Sequence, residues 1–343
     1  MLSPSSPQDS LDLETASPFH LLVVGDDVLP EEIDILAAQI WPQSNRAGLG
    51  LLELTSGAYL TGPWHLTPEA IVKLGLPLYL EFAYIISVPA LRGKPVPQEL
   101  WGRDPLWDAF REGGPESLEL EVLNGTRRMA RRLAGALRFS TGPIIVPDPD
   151  SAVEMRVFSE VWLEPAACLQ ISQQVFPQAK LELGNAPDGD VSSGRNQRLT
   201  TAAARATHDP DGLRARAQEG VSPDERAWLH AEAEAFDEAA MSMPPVLDAY
   251  AVSVDITPMS AVHVIVSGET AIPPALGHRE DGLISYDLRW IAPDMALTEM
   301  NKPRRAYRLD RLKIIEAIEN LAKPLAAATN GVIVDADEFV VSL

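Results

Sequence analysis

The chain has 343 residues, 46% of them hydrophobic, a formal charge of −21 and a sequence pI near 4.6. That length is enough for two ordinary domains with cores of their own. The charge argues against a general nucleic-acid binder, because phosphate backbones require a dominant basic surface. A single cysteine, Cys168, excludes an intrachain disulfide framework and any multi-cysteine metal cluster, and it suits a reducing compartment, so a cytoplasmic location is expected.

In chain order, residues 1–18 are polar and acidic without a basic start or an apolar run, and are expected to form a disordered N-terminal tail rather than a signal peptide. A strand is predicted over 19–25 and a helix over 30–41, where Pro30 presets the first turn and Pro42 ends it. Ile33, Leu36, Ala37 and Ile40 recur at helical spacing and define its buried face. Strands are predicted over 48–55 and 77–88, the second within the apolar stretch from Leu76 to Leu91. Glu81 and Pro89 interrupt that stretch, which is too short to cross a bilayer. A helix over 123–139 and a strand over 143–147 complete a βαββαβ order.

The pattern then returns. Pro165 to Gln178 repeats Pro30 to Gln43 at an offset of 135, with Pro30/Pro165, Gln39/Gln174, Pro42/Pro177 and Gln43/Gln178 identical. Leu321 to Val341 aligns with Leu133 to Val153 at an offset of 188, which matches Leu137 with Leu325 and Ile145 with Ile333. The change from 135 to 188 implies 53 additional residues in the second copy. They fall in a Gly, Asp, Ser, Arg and Ala-rich stretch at about 185–245, which includes an acidic helix starting at Ser222-Pro223-Asp224-Glu225. The second copy is predicted to have strands at 153–159, 180–183, 249–256, 261–268 and 283–291, helices at 164–176 and 308–329, and a closing hairpin.

The expected fold is therefore α+β: a tandem duplication of a βαββαβ, ferredoxin-like sandwich, with copies at 19–150 and 151–343 and a long charged, partly helical insertion in the second.

Function is less legible. Dinucleotide and phosphate-loop motifs, H-E-x-x-H and G-x-S-x-G are all missing, so no catalytic residue, cofactor or metal is assigned. The basic candidates are Arg127, Arg128, Arg131 and Arg132 on one helix and Lys302, Arg304, Arg305, Arg308, Arg311 and Lys313 at the start of another. Arg128, Arg132, Arg305 and Arg308 would grip an anion between the copies, whereas the duller reading pairs them with the protein's own carboxylates. The acidic turns Asp148-Pro149-Asp150 and Asp335-Ala336-Asp337 suit a hard cation or, more simply, turn stabilisation by aspartate.

Trp228 and Phe236 mark one face of the inserted helix, for packing on the domains or docking a partner. His263 alternates with Val262 and Val264, and Cys168 sits in the apolar stripe of its helix; both read as structural. The leading expectation is a non-catalytic binding or regulatory protein that meets a macromolecular, possibly basic, partner through an acidic surface, with no nucleic acid and no membrane. The alternative is an enzyme or sensor that binds an anionic small molecule between the copies.

Overall fold

A computed structural model describes residues 9–182, 248–292 and 304–343. The protein is a mixed α+β chain with two antiparallel sheets. The first sheet and all but the ends of two strands of the second belong to the unit formed by Met1–Leu181 with Ala251–Leu343; a second unit, Glu182–Tyr250, is described only at its ends. The predicted insertion, with Trp228 and Phe236, lies outside the described residues.

In chain order the first part runs α1 (Leu13–Ala16), β1 (His20–Val24), α2 (Pro30–Ile40), β2 (Asn45–Gly48), β3 (Leu51–Thr55), β4 (Ala58–His65), α3 (Pro68–Leu74), β5 (Phe82–Ser87), α4 (Pro105–Ala109), α5 (Ser117–Arg132), β6 (Ala136–Arg138) and β7 (Ile144–Ile145). These strands form one sheet of order β2-β3-β4-β5-β1-β6-β7. The second part runs β8 (Met155–Ser159), α6 (Pro165–Val175), β9 (Lys180–Glu182), β10 (Ala249–Thr257), β11 (Ser260–Glu269), β12 (Leu283–Ile291), α7 (Arg305–Thr329) and β13 (Val332–Asp335). Its sheet has the order β13-β8-β12-β11-β10-β9.

The two sheets have seven and six strands, more than the four of a ferredoxin-like βαββαβ unit. Yet read from the opposite edge the second order is β9-β10-β11-β12-β8-β13, which follows β2-β3-β4-β5-β1-β6 strand for strand. Shifting β1 and α2 by the offset of 135 reproduces the bounds of β8 and α6. The helix ends also agree: Trp41 donates to Ala37 O at 2.7 Å, and Phe176 to Ser172 O at 2.8 Å.

The offset of 188 does not fit this strand order. Register pairs Leu22 with Leu137 and Val157 with Ile333, so β13 holds the same place beside β8 as β6 holds beside β1, whereas an offset of 188 sets it on β7. The geometry gives 330 − 134 = 196: Ala134 and Asn330 both have left-handed φ, 49° and 50°, just past α5 and α7. Gly135 N–H bonds Ala130 O at 2.8 Å, and Gly331 N–H bonds Ala326 O at 2.9 Å. These bonds close each helix in the manner of a left-handed cap. α5 therefore ends at Arg132, not near residue 139, and the next residues enter β6.

Three further expectations change. The tail prediction fails over the described residues, because Leu11 and Ala16 are buried against β1 and Leu11 N–H bonds His65 O at 3.0 Å. The apolar run from Leu76 contributes only Phe82–Ser87 to the sheet, while Leu78 and Tyr79 are exposed. β4 and α3 lie between strands that were expected to follow one another directly. The Gly62-Pro63 pair, a turn signal, sits where the β4–β5 register shifts between Thr61 and Trp64, which lets a strand carry a proline.

β1 is buried along its whole length because both faces of the first sheet are covered. α2 and α5 pack on one face over Leu22, Val24 and Leu60, and α1 and α3 pack on the other over Leu21, Val23 and Ile85. In the second sheet Val262, Val264 and Val266 are buried, whereas His263, Ile265 and Ser267 on the alternate face are only half-buried. Among the described residues no helix is long and apolar enough to cross a membrane.

Candidate functional site

The charged side chains gather along a seam where α5 meets the C-terminal turn. That turn follows β13, returns through a bridge between Val334 and Val340, and inserts Phe339 into the core beneath α2 and α5. Gln39 Oε1 accepts the Val340 N–H at 2.7 Å. Burying Phe339 fixes the turn, and the turn presents Asp335, Asp337 and Glu338 to the basic face of α5.

Arg131 holds Asp337 through both ends of its guanidinium, its Nε donating at 2.7 Å. Arg128 reaches Glu338 at 2.5 Å and Arg132 reaches Asp335 at 3.6 Å. Burial works against the charge of Arg131, but the bonds and field of Asp337, with Asp335 and Asp148 behind, outweigh it and raise its pKa. A reciprocal contact comes from α7, where Arg311, 4% exposed, pairs with Asp148 at 3.0 Å and Asp150 at 3.7 Å. Each acidic turn is thus held by an arginine from the helix of the other sheet.

Backbone bonds complete the turns: Asp148 accepts the Asp150 N–H at 3.1 Å, and Asp335 accepts the N–H groups of Asp337 and Phe339, each at 2.9 Å. Among the described residues no group of three or more His, Cys, Asp or Glu side chains is placed to hold a metal ion.

Beyond Glu338 the charges alternate across the outer face of the second sheet. Arg156 lies 3.8 Å from Glu338 and 3.9 Å from Asp287, and Asp287 accepts from Arg289 at 2.6 Å. Strand register sets this order, since Arg156 stands opposite Asp287 and His263 opposite Arg289. Here a cleft of about 240 Å³ has the carboxylates Glu154, Glu269, Asp287 and Asp335 in its wall against Arg156 and Arg289.

Two of these acids are held above their ordinary pKa. For Glu154, exposed by area but set in the concave wall, loss of solvation is the main cause; Asp287 adds to it and Arg289 opposes. For Asp335 burial leads, Asp337 adds, and the Phe339 N–H and Arg132 oppose. In both carboxylates loss of solvent contact, more than the neighbouring charges, disfavours the ionised form.

A second cluster lies inside the first sheet and was not evident from sequence. His20, at the start of β1, and Glu119, in the first turn of α5, are 99 positions apart, and Glu119 is fully buried. His20 Nδ1 accepts the Ser140 N–H at 3.0 Å, so Nε2 carries the proton donated to Glu119 at 3.2 Å. Glu119 also accepts the Leu91 N–H at 2.9 Å and pairs with Arg92 at 2.5 Å. Burial raises the Glu119 pKa, but the His20 and Leu91 hydrogen bonds and the Arg92 charge prevail, leaving it below the ordinary value.

Of the proposed anion ligands, Arg128 and Arg132 are engaged by Glu338 and Asp335. Arg305 and Arg308 lie exposed on the first turns of α7. None of the four lines the cleft on the second sheet. Cys168 is fully buried, as its place in the apolar stripe implies. The chain matches no family model, no curated protein and no solved structure.

Proposed function

We propose that the protein is a non-catalytic binding protein that receives a basic segment of a protein partner in the acid-rich cleft on the outer face of the second sheet. The observation that carries this reading is the make-up of the cleft wall, where the four acids Glu154, Glu269, Asp287 and Asp335 stand with two arginines, Arg156 and Arg289, while Arg132 reaches Asp335 from α5 at 3.6 Å. Loss of solvent contact disfavours the ionised form of Glu154, which is exposed by area, and a lysine or arginine from a partner would offset that cost. The net charge of −21 favours the same encounter at long range. An anionic small molecule gripped by Arg128, Arg132, Arg305 and Arg308 has less support, because the first two already have carboxylate partners.

We further infer that the two sheets descend from one unit, with copies at about 19–150 and 151–343. The shared strand order, the matching β1–α2 and β8–α6 bounds, and the left-handed caps at Ala134 and Asn330 support this. The divergence is functional: α1 and α3 cover one face of the first sheet, and the corresponding face of the second carries the cleft.

The test is fluorescence anisotropy with a labelled oligolysine peptide at low salt. Binding should weaken as salt rises. Glu154→Gln with Glu269→Gln should weaken it about tenfold, the loss expected for two charge-assisted contacts partly screened by water. A control pair at exposed sites elsewhere, Glu31→Gln with Glu99→Gln, should have a much smaller effect. Equal losses in the two pairs would show attraction to net charge alone and overturn the assignment of the cleft.

A further inference from the structure

A cavity of about 480 Å³ in the first sheet's half of the molecule lies over the Arg92 side of the His20–Glu119 cluster. Two chain segments wall it. Residues 91–96 and 111–116 run antiparallel and are tied by Gly93 N–H to Gly114 O at 2.8 Å, Val96 N–H to Arg111 O at 3.0 Å and Glu116 N–H to Leu91 O at 3.0 Å. A Cβ on Gly113 would meet Gly93 O at 3.2 Å, so this close approach depends on a bare backbone. The wall is therefore a bonded ribbon, and the side chains that it presents start from fixed positions.

Two guanidinium groups line this space, and each is oriented in the same way. Arg92 lies 4.2 Å from the centroid of the Phe110 ring and is tethered by Nη1 to the buried Glu119. Arg111 lies 4.7 Å from the Trp101 ring and is tethered by Nη2 to Asp108. Stacking on an aromatic face together with one carboxylate tether fixes the plane of a guanidinium and leaves its other N–H donors to face a ligand. The Arg92 side chain is 31% exposed and the Arg111 side chain 51% exposed, so both remain accessible. Thr141 and the backbone of Gly93 add neutral polar groups to the lining.

The tethering acids are satisfied by other donors. Glu119 accepts from His20 and the Leu91 N–H as well as Arg92. Asp108 accepts the Gly102 N–H with both oxygens, at 3.1 and 3.0 Å, and this bond, ahead of Arg111, keeps its pKa low. Each acid thus orients its arginine without using all of its donors. Glu112 and Asp108 also line the cavity, so its own charged lining, with Arg92 and Arg111, is formally neutral, and the buried Glu119 behind Arg92 adds one negative charge. Recognition here depends on donor geometry rather than on a strong field, which favours a small oxyanion.

We propose that this cavity is a binding site for a small phosphate- or carboxylate-bearing molecule, whose oxygens are received by Arg92 and Arg111. The site is independent of the acidic cleft, lies on the other sheet, and uses none of the arginines singled out by clustering in the sequence.

Thermal unfolding of the full chain with inorganic phosphate, against sodium chloride at matched ionic strength, provides the test. A bound ligand raises Tm along a saturating curve, whereas general salting-out gives a rise that does not saturate. Arg92→Lys keeps the charge opposite Glu119 while losing the planar fork, and should weaken the apparent phosphate affinity about tenfold. Arg111→Gln, at an exposed position, should do the same, and Arg279→Gln on the second half should leave the curve unchanged. Acetate should reproduce the saturation if any oxyanion is accepted, and phosphate alone should do so if the site requires a tetrahedral group. A non-saturating rise, or equal losses in Arg111→Gln and Arg279→Gln, would overturn the proposal.

Discussion

Arg311 on α7 and Asp148 in the turn after β7 form an ion pair at 3.0 Å in which the arginine is almost fully enclosed, at 4% exposure, while the aspartate retains 17%. The asymmetry predicts unequal costs. Asp148→Ala strands a buried guanidinium with only Asp150, 3.7 Å away, to balance it, and is expected to cost about 3 kcal/mol. Arg311→Met fills much of the same volume and leaves an aspartate that water can reach, so about 1–2 kcal/mol is expected. Urea denaturation of the two variants measures the difference, and a larger loss in Arg311→Met would contradict this account of the seam.

The paired caps give a prediction of opposite sign. Ala134 holds a φ of 49°, a left-handed conformation that disfavours a Cβ, in the place where the second half has Asn330 at 50°. Ala134→Gly should stabilise the chain by about 0.5–1 kcal/mol, and Asn330→Gly by less, because asparagine already tolerates that region. The neighbouring glycines behave otherwise. A Cβ on Gly135 would lie 2.4 Å from Val23 O, and one on Gly331 would lie 3.0 Å from Phe158 O and 2.6 Å from Val157 Cγ1. Gly135→Ala should therefore cost more than Gly331→Ala, since a side-chain methyl can rotate aside and a sheet carbonyl cannot. Thermal unfolding of the four variants would rank them.

The helix starting at Pro30 and its counterpart at Pro165 were legible because proline fixes a boundary through covalent geometry alone. The register of the second block was not. A slip of eight residues along a helix is close to two turns, so the apolar stripe of α7 matches α5 almost as well at an offset of 188 as at 196. Gly135 and Gly331, each preceded by a left-handed residue, were the better markers, but Ala134 does not announce that conformation. The arginines of α5 were visible as a cluster, while their acids arrive from a turn more than 200 positions later. The His20–Glu119 contact and the stacked Arg92 likewise exist only once β1, α5 and the ribbon at 91–96 have come together.

Asp335 combines two roles that substitution can separate. Its Oδ1 accepts the N–H groups of Asp337 and Phe339, and these bonds set the turn that carries Phe339 into the core. Asp335→Ala removes both acceptors and should cost about 1–3 kcal/mol. Asp335→Asn keeps an acceptor oxygen and removes a charge that burial and Asp337 disfavour, so at pH 7 it should remain within about 1 kcal/mol of the parent protein. Chemical denaturation at pH 7 compares the two, and an asparagine variant as unstable as the alanine variant would show that the charge, through Arg132, is the important feature.

Glu119 predicts a pH dependence of the opposite kind. Its folded-state pKa lies below the ordinary 4.5, so the folded chain binds fewer protons than the unfolded chain once the pH approaches that value from above. The stabilisation from the His20, Leu91 and Arg92 contacts is complete above pH 4.5 and is lost as pH falls through the depressed folded value. Asp335 and Glu154, with raised values, work in the other direction and lose their contribution as pH rises through their folded pKa. Glu119→Gln should thus lower stability at pH 7 and also flatten the decline of unfolding free energy below pH 4.5, since the group that takes up the proton is gone. His20→Gln should leave more of that decline, because Arg92 and the Leu91 N–H still favour the ionised acid. Urea midpoints measured at intervals from pH 6 to pH 3 would show this order, and a Glu119→Gln profile parallel to that of the parent protein would mean that other carboxylates carry the acid limb.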